Sequence, residues 1–414
     1  MRRFGGALLA LLILVAAACS ESRPAVKPLV LGAIYPLSGP QAPGGHDELA
    51  GLRAALRLAQ ATGALGSRQV QLRVIDATTP AQAVAAVDRL IDEDHVALIF
   101  GTYGSTLAEP AAARADQRKT IYWETGAVSD GVTRNRHYVF RTVATGDNLG
   151  RMAVDFTRSV LVPAAGLQPA STRSVIISVD DVYGRSVGDG EAARAAALGM
   201  PVVDRIVYNA SAFDAGQVAD RLAADRADYL WDVSYIDDGV AIWKAVVERN
   251  VPLRAAVGTS SAFCTPDFGK RLGAAAVGVF AADKPDDQVS PGALSPDGRS
   301  LLAQARAVYA SQNSGSSMSI PAVAGFIGGW AVFHEVFPRV ADEVTPDKLR
   351  VAALQVNVPA GDAINGGGIA FNTGNLADVG QNRLAAAVVG QWQAVGQMKV
   401  VWPAAYANAQ PISH

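Results

Sequence analysis

Hydroxyl groups and aromatic rings recur in this chain just after short apolar runs. Tyr103 and Ser105 follow the run His95–Phe100, which closes at Gly101. Thr125, Gly126 and Ala127 follow the next run, Tyr183 follows Val179, Tyr235 follows Val233, and Ser260 follows Val257. Groups of these types bind; they do not react on their own. A loop that opens a helix offers free N–H groups and a favourable dipole to negative charge. Gly101 and Gly104 allow the backbone to come close there. Tyr103, Trp123 and Trp231 supply flat surfaces for a planar or apolar body. Each has a plainer reading as well. Ser105 can cap the following helix, the two tryptophans can point into the core, and Tyr183 and Tyr235 can simply pack. Asp180, Asp181, Asp237 and Asp238 read as solvated loop carboxylates or helix caps.

Catalytic patterns are missing from the sequence. It contains no G-x-S-x-G, no H-E-x-x-H, no P-loop and no G-x-G-x-x-G. Gly366, Gly367 and Gly368 precede an expected strand rather than a helix, so they form a turn and not a phosphate cradle. His46, His95, His137, His334 and His414 are scattered, with no pair at metal-ligand spacing. Neither an enzyme nor a cofactor nor a metal is expected.

The composition agrees with a binding role. The 414 residues are 50% hydrophobic and 18% charged, which excludes a disordered chain. Two cysteines cannot staple a small scaffold, and a net charge of -2 gives no footprint for nucleic acid. The length exceeds what one core supports, at roughly 250–300 residues, so two lobes are expected. Arg2 and Arg3 precede the apolar stretch Ala7 to Ala18, which is too short for the roughly 20 residues of a membrane span. Residues 1–18 therefore read as a signal peptide. Cys19 follows Ala16-Ala17-Ala18, an arrangement similar to a bacterial lipobox, and is the candidate lipidation site. Plain cleavage after Ala18 is the other reading. Residues 19–28 read as a tether. Cys264 reads as a small buried apolar residue.

The mature chain alternates strands and helices. Residues 29–35 form a buried strand, and a helix follows with Leu49, Leu52, Leu56 and Ala59 inward. Val70 to Asp76 is the second strand; Pro80 starts a helix with Val84, Val87 and Ile91 inward. The pattern restarts after residue 148 with strands near 175–179, 201–207, 228–233 and 253–257. Two α/β halves result, each with a parallel sheet. Residues 284–299 read as a long surface loop, 300–312 and 321–339 as helices, Gly366 to Phe371 as a strand, and 383–401 as a closing hairpin turning near Gly396.

Motifs in order along the chain add a resemblance. Gly32-x-x-x-Pro36-Leu-Ser-Gly39, Leu90-Ile-Asp-Glu-Asp94, Gly101-Thr-Tyr-Gly-Ser105, Thr125-Gly-Ala127, Val139-Phe-Arg-Thr142, Asp181-x-Tyr183-Gly184, Gly368-x-x-Phe371 and Val401-Trp-Pro403 together resemble the type I periplasmic binding proteins, in the Leu/Ile/Val-binding group. The resemblance covers residues 28–403. It implies two Rossmann-like lobes joined by three crossovers near Thr145, Asp283 and Asn375. Lobe 1 would be 29–145 and 284–375, and lobe 2 would be 146–283 and 376–405. It also implies a periplasmic receptor for a small-molecule ligand that serves an ABC permease in the inner membrane, with membrane contact only through lipid at Cys19. A ligand sensor of the same fold feeding a regulatory partner is the alternative. In this group the positions of Ser105 and Thr125-Gly126-Ala127 hold a ligand carboxylate, and those of Tyr183 and Tyr235 flank the ligand. Two departures stand out. Val128 replaces a threonine, and Ser260 stands where amino-acid binders carry the acid that neutralises the ligand ammonium. The ligand expected is therefore a carboxylate or other oxygen acceptor on an apolar or aromatic body. An α-amino acid would need Glu124, Asp232 or Asp237 as partner.

Overall fold

The computed structural model describes residues 28–412 apart from Asp342 and Asn375. The signal peptide, Cys19 and most of the tether lie outside the described residues, as does Asn375, where the third crossover was expected.

Five parallel strands form the first sheet in the order β2-β1-β3-β4-β5. They are β1 (Leu29–Tyr35), β2 (Val70–Asp76), β3 (Leu98–Gly101), β4 (Ile121–Glu124) and β5 (Val139–Arg141). Strands β3, β4 and β5 are buried throughout. This is why they read as unbroken apolar runs rather than alternating ones. The helices α1 (Ala42–Thr62), α2 (Pro80–Asp92) and α3 (Ser105–Gln117) connect them. Thr79 and Gln82 form a reciprocal capping box at the start of α2, with Pro80 in its first turn.

The second sheet has seven strands, in the order β14-β13-β10-β9-β8-β6-β7. Five are parallel: β6 (Ser174–Val179), β7 (Val202–Tyr208), β8 (Tyr229–Val233), β9 (Ala255–Thr259) and β10 (Phe280–Asp283). A two-stranded piece of β11 (Asn357–Val358) and β12 (Ile369–Ala370) is all that forms where Gly366 to Phe371 was expected to be a strand. The closing hairpin, β13 (Val388–Ala394) and β14 (Gln397–Trp402), lies antiparallel along β10 and turns at Gly396, whose φ is +68°.

Alanine and glycine set the helix contacts, so Leu49, Leu52, Ala59 and Val87 are inward as expected while Leu56, Val84 and Ile91 sit at the margin of the buried faces. In α1 the buried face is Leu49, Leu52, Ala55, Leu58 and Ala59, with Leu56 half-buried; in α2 it is Ala83, Ala86, Val87 and Leu90, with Val84 and Ile91 half-buried. Small side chains let these helices lie close to the sheet, so bulk is not where burial is greatest. The closest approach is between α1 and the helix Ile320–Trp330. A Cβ on Gly51 would strike the Ala322 carbonyl, and one on Gly325 would strike the Glu48 carbonyl. The two backbones therefore touch. Gly325→Val is expected to cost about 1–3 kcal/mol through overpacking. Urea denaturation would measure this, and an unchanged midpoint would contradict the contact.

Residues 284–289 are not the surface loop expected. Lys284 and Asp287 are buried, and Val289 and Leu294 join the first lobe's core. The polar atoms are matched, which permits this burial: Asp287 accepts from Arg306 Nε at 2.8 Å and from Gln288 Nε2 at 2.7 Å. The segment is the second connection between the lobes. The first leaves β5 and enters α4 (Gly146–Phe156). The third lies later than residue 375. Residues 380–382 still pair with β5, since Arg141 N–H donates to the Gly380 carbonyl and Asn382 N–H to the Arg141 carbonyl, both at 2.9 Å. Asn382 Nδ2 donates to the Thr142 and Gly368 carbonyls, both at 2.8 Å, which holds the chain on the first lobe up to that residue.

Candidate functional site

The C-terminal ends of the parallel strands in both sheets face one cleft, the position expected for a ligand in open α/β sheets. A cavity of about 750 Å³ lies there, walled by residues of both lobes. Tyr103 stands in its floor, two residues beyond β3, with its ring against Gly44, where a Cβ would collide with it. Burial pushes the Tyr103 phenol well above its ordinary pKa, and the Ser261 hydroxyl beside it partly offsets this.

The lobes touch across the cleft. Thr106 Oγ1, from α3, donates to Asp181 Oδ2 at 2.9 Å. That carboxylate also accepts from Tyr235 OH at 2.7 Å, while Oδ1 caps the helix Val182–Ala197 by accepting the Gly184 N–H at 2.9 Å. Asp181 is thus the cap expected and also a latch between lobes, which sequence reasoning did not anticipate. Nearer the connections, Ser186 Oγ donates to Asp130 Oδ2 at 2.9 Å and accepts the Asp130 N–H at 3.0 Å.

Below Tyr103 is a small inner cavity lined by Glu48, Gly126, Ser260, Cys264, Asp283 and Lys284, and it shares Tyr103, Ser261, Thr265 and Pro321 with the cleft. Its charges come from a helix interior and from the second connection. Glu48 lies on the buried face of α1 and is 0% exposed; the Thr125 hydroxyl donates to its Oε1, and its Oε2 has no partner. Lys284 Nζ is 3.3 Å from Asp283 Oδ1, and it donates to the Gly126 carbonyl at 3.3 Å and to Ser260 Oγ at 3.4 Å. Cys264 is buried as expected, in an apolar cluster with Phe263 and Phe268, but its thiol also meets polar groups. Its thiol is 2.6 Å from Asp283 Oδ2 and 2.6 Å from the Ser260 carbonyl. Burial and the neighbouring Asp283 charge raise its pKa, so the thiol keeps its proton. Burial, then the Glu124 charge, raises the Glu48 pKa; Lys284 opposes the change. Glu124 is pushed up to about 7 by burial, against N–H bonds from Gly126 and Ala127 at 2.7 Å and from Thr102 at 3.0 Å.

The candidate residues divide into those that reach the cleft and those that support it. Tyr103 and Tyr235 line the cleft, and Gly126 and Ser260 line the inner cavity. Ser105 does not face either. It follows Gly104, the N-cap of α3, and its Oγ accepts the Ser129 N–H at 3.0 Å, holding the 125–129 loop in place. Thr125 is buried between Tyr35 OH, at 2.9 Å, and Glu48. Ala127 offers its carbonyl to Arg141 Nη1 at 3.3 Å. Tyr183 is 2% exposed, gives its OH to the Thr259 carbonyl at 3.1 Å, and supports the Tyr235 ring at a centroid distance of 5.2 Å. Trp123 stacks on Phe140 and Trp231 donates to Thr157 Oγ1 at 3.0 Å; both point into cores. Val128 is buried in the second lobe's core. Of the alternative ammonium partners, Glu124 and Asp232 are sealed at 0% exposure, and Asp237 pairs with Arg271 at 2.6 Å.

Two α/β lobes, three connections and a ligand-sized cavity shared between facing strand ends define a two-lobed ligand-capture protein. The comparisons place it further. The model of the family described as periplasmic binding protein matches residues 28–387, and the chain belongs to that family, in its Leu/Ile/Val-binding group. A Leu/Ile/Val-binding protein homolog 8 from Brucella melitensis is 30% identical over 375 residues, 90% of each chain. Among solved structures, a leucine-binding protein LivK from Thermotoga maritima superposes with a TM-score of 0.76 at 15% identity, over 90% of this chain and 98% of its own. A solute-binding protein of an ABC transporter from R. palustris, in complex with benzoate, gives 0.75 at 18% identity, over 93% and 98%.

Proposed function

We propose that this protein is the extracytoplasmic receptor of an ABC importer. It captures a small organic ligand between its lobes and presents the closed form to a permease in the inner membrane. Cys19, outside the described residues, would carry the lipid that keeps the receptor at that membrane. The observation that carries the reading is the Thr106–Asp181 bond across the mouth of the cavity of about 750 Å³. A ligand that touches both lobes stabilises the arrangement in which that bond exists, and its differential affinity for the closed form is what drives closure. Family membership and the fold it shares with transport receptors support the same assignment.

The test starts with the full chain purified from its source cells. Small molecules released on denaturation are identified by mass spectrometry and added back to the stripped protein. The radius of gyration in small-angle scattering should fall on addition. Thr106→Val removes a bond to a charged acceptor and is expected to weaken binding about tenfold, while leaving the fold intact. If no small molecule compacts the protein, the receptor reading fails.

A further inference from the structure

The cleft is strongly asymmetric in charge. Asp47, Asp181, Asp237, Asp238 and Asp267 line the cavity, and among the described residues that line it no lysine or arginine answers them; His46 is the one basic side chain. Three of the five carboxylates are already engaged. Asp181 has Thr106 and Tyr235, Asp237 has Arg271, and Asp238 accepts from Tyr208 OH. Asp47 and Asp267 are different. They come from opposite lobes, Asp47 from α1 and Asp267 from the helix Pro266–Leu272. Asp47 accepts from Ser319 Oγ at 2.6 Å, and Asp267 has no ion-pair partner among the described residues. Their charges repel, and Asp267 is among the influences that raise the Asp47 pKa, after burial.

An independent feature at the inner end points the same way. Glu48, the residue after Asp47, is wholly buried, and its Oε2 lines the inner cavity without a donor. Lys284 does not reverse the balance there, since it is engaged by Asp283, Gly126 and Ser260. Lobe closure therefore brings acids together around an unfilled acceptor. A buried acceptor without a donor is costly, and so is the repulsion between Asp47 and Asp267. The ligand that makes closure favourable has to bring the opposite charge. Phe213, Ile236, Leu107 and Pro266 form apolar wall between the acids.

We propose that the ligand of this cleft is an organic cation, an ammonium or guanidinium group on an apolar body, held between Asp47 of one lobe and Asp267 of the other. The proposal rests on the receptor reading and changes its expected chemistry. The carboxylate ligand anticipated from the sequence would meet five acids and no free cation. It would also miss Ser105, whose hydroxyl is used by Ser129.

The experiment uses a small-molecule extract of the source cells, separated at pH 7 into a fraction retained on a weak cation exchanger, a fraction retained on an anion exchanger, and a flow-through that contains neutral molecules and zwitterions such as leucine. Each fraction is titrated into the full chain and the melting temperature recorded. Stabilisation is expected from the cation-exchange fraction. The concentration needed for half the effect should rise about tenfold in Asp267→Asn and again in Asp47→Asn. Circular dichroism of both variants checks that they fold; Asp267→Asn has no internal bond to lose, so it decides the matter if Asp47→Asn disturbs Ser319. Stabilisation confined to the anion-exchange fraction or the flow-through overturns the cationic ligand and leaves the receptor standing. An unchanged titration in Asp267→Asn also overturns it. No stabilisation from any fraction overturns the receptor reading and this proposal together.

Discussion

Replacing Arg141 by methionine is expected to cost about 3–5 kcal/mol of stability, the loss typical of breaking a buried charged network. Arg141 ends β5 and is 0% exposed. Its Nε donates to Gln381 Oε1 at 2.6 Å, and its Nη1 donates to the carbonyls of Ser129 at 2.5 Å and Ala127 at 3.3 Å. One planar guanidinium thus ties the loop under the cleft to the third connection. Burial lowers its pKa to about 10, so it remains charged at neutral pH. Methionine would fill much of the volume but leave two buried carbonyls and the Gln381 oxygen without a donor. Lysine would restore the charge without the fork and should recover only part of the loss. Denaturant unfolding measures the change, and hydrogen exchange should show residues 127–129 and 380–382 losing protection together. A loss below about 1 kcal/mol would mean that the network contributes far less than its burial implies.

Asp232→Asn is expected to stabilise the protein at pH 8, by about 2–3 kcal/mol, and to lose that advantage as pH falls to 4, where only the cost of the unpartnered amide remains. Asp232 ends the buried core of β8 at 0% exposure, and burial raises its pKa from 3.8 to about 8. The folded state therefore keeps a proton that the unfolded chain gives up. The stability associated with that proton is complete below about pH 4 and is lost as pH rises to about 8. Each tenfold change in acidity constant is worth about 1.4 kcal/mol, so the ceiling at pH 8 is on the order of 5 kcal/mol. Asparagine removes that cost and keeps an oxygen for the Ser234 hydroxyl, but it brings an N–H₂ group to a place where Oδ2 has no partner, which takes back about 1–3 kcal/mol. Melting temperatures of both proteins across pH 4–8 would show curves that diverge upward. Parallel curves would mean that Asp232 is ionised in the fold.

The lobes were legible from sequence because their central strands are buried on both faces. Continuous apolar runs such as Leu98-Ile99-Phe100 announce this directly, and residues such as Pro80 and Asp181 mark where helices begin. The site was less legible. Glu48 lies within an apolar helical stripe with Leu49, Leu52 and Ala59, and an acid at such a position signals a buried partner; this signal was present but was outweighed by the stripe. Asp283 and Lys284 belong to an acid- and proline-rich stretch whose composition resembles a surface loop. Only the crossing between lobes buries it. Ser105 and Thr125 were found by position at strand ends. Position does not reveal orientation, and their hydroxyls turn toward Ser129 and Glu48 rather than the cleft. The third connection was expected near residue 375, but Asn382 holds the chain on the first lobe for a few residues more, through bonds to the Thr142 and Gly368 carbonyls, and Thr142 is far away in sequence.

Asp181 has a consequence for how closure is funded in entropy. Its carboxylate is held by the Gly184 N–H and by Tyr235 OH, both on its own lobe. The rotamer freedom of this acceptor was therefore given up during folding. When the lobes meet, the side chain that remains to be ordered at the latch is Thr106, short and branched, with little freedom to lose. A flexible pair such as lysine and glutamate in the same place would lose a further 1–2 kcal/mol or so per side chain on forming the contact. The helix cap thus lowers the entropic cost of the Thr106–Asp181 contact between the lobes.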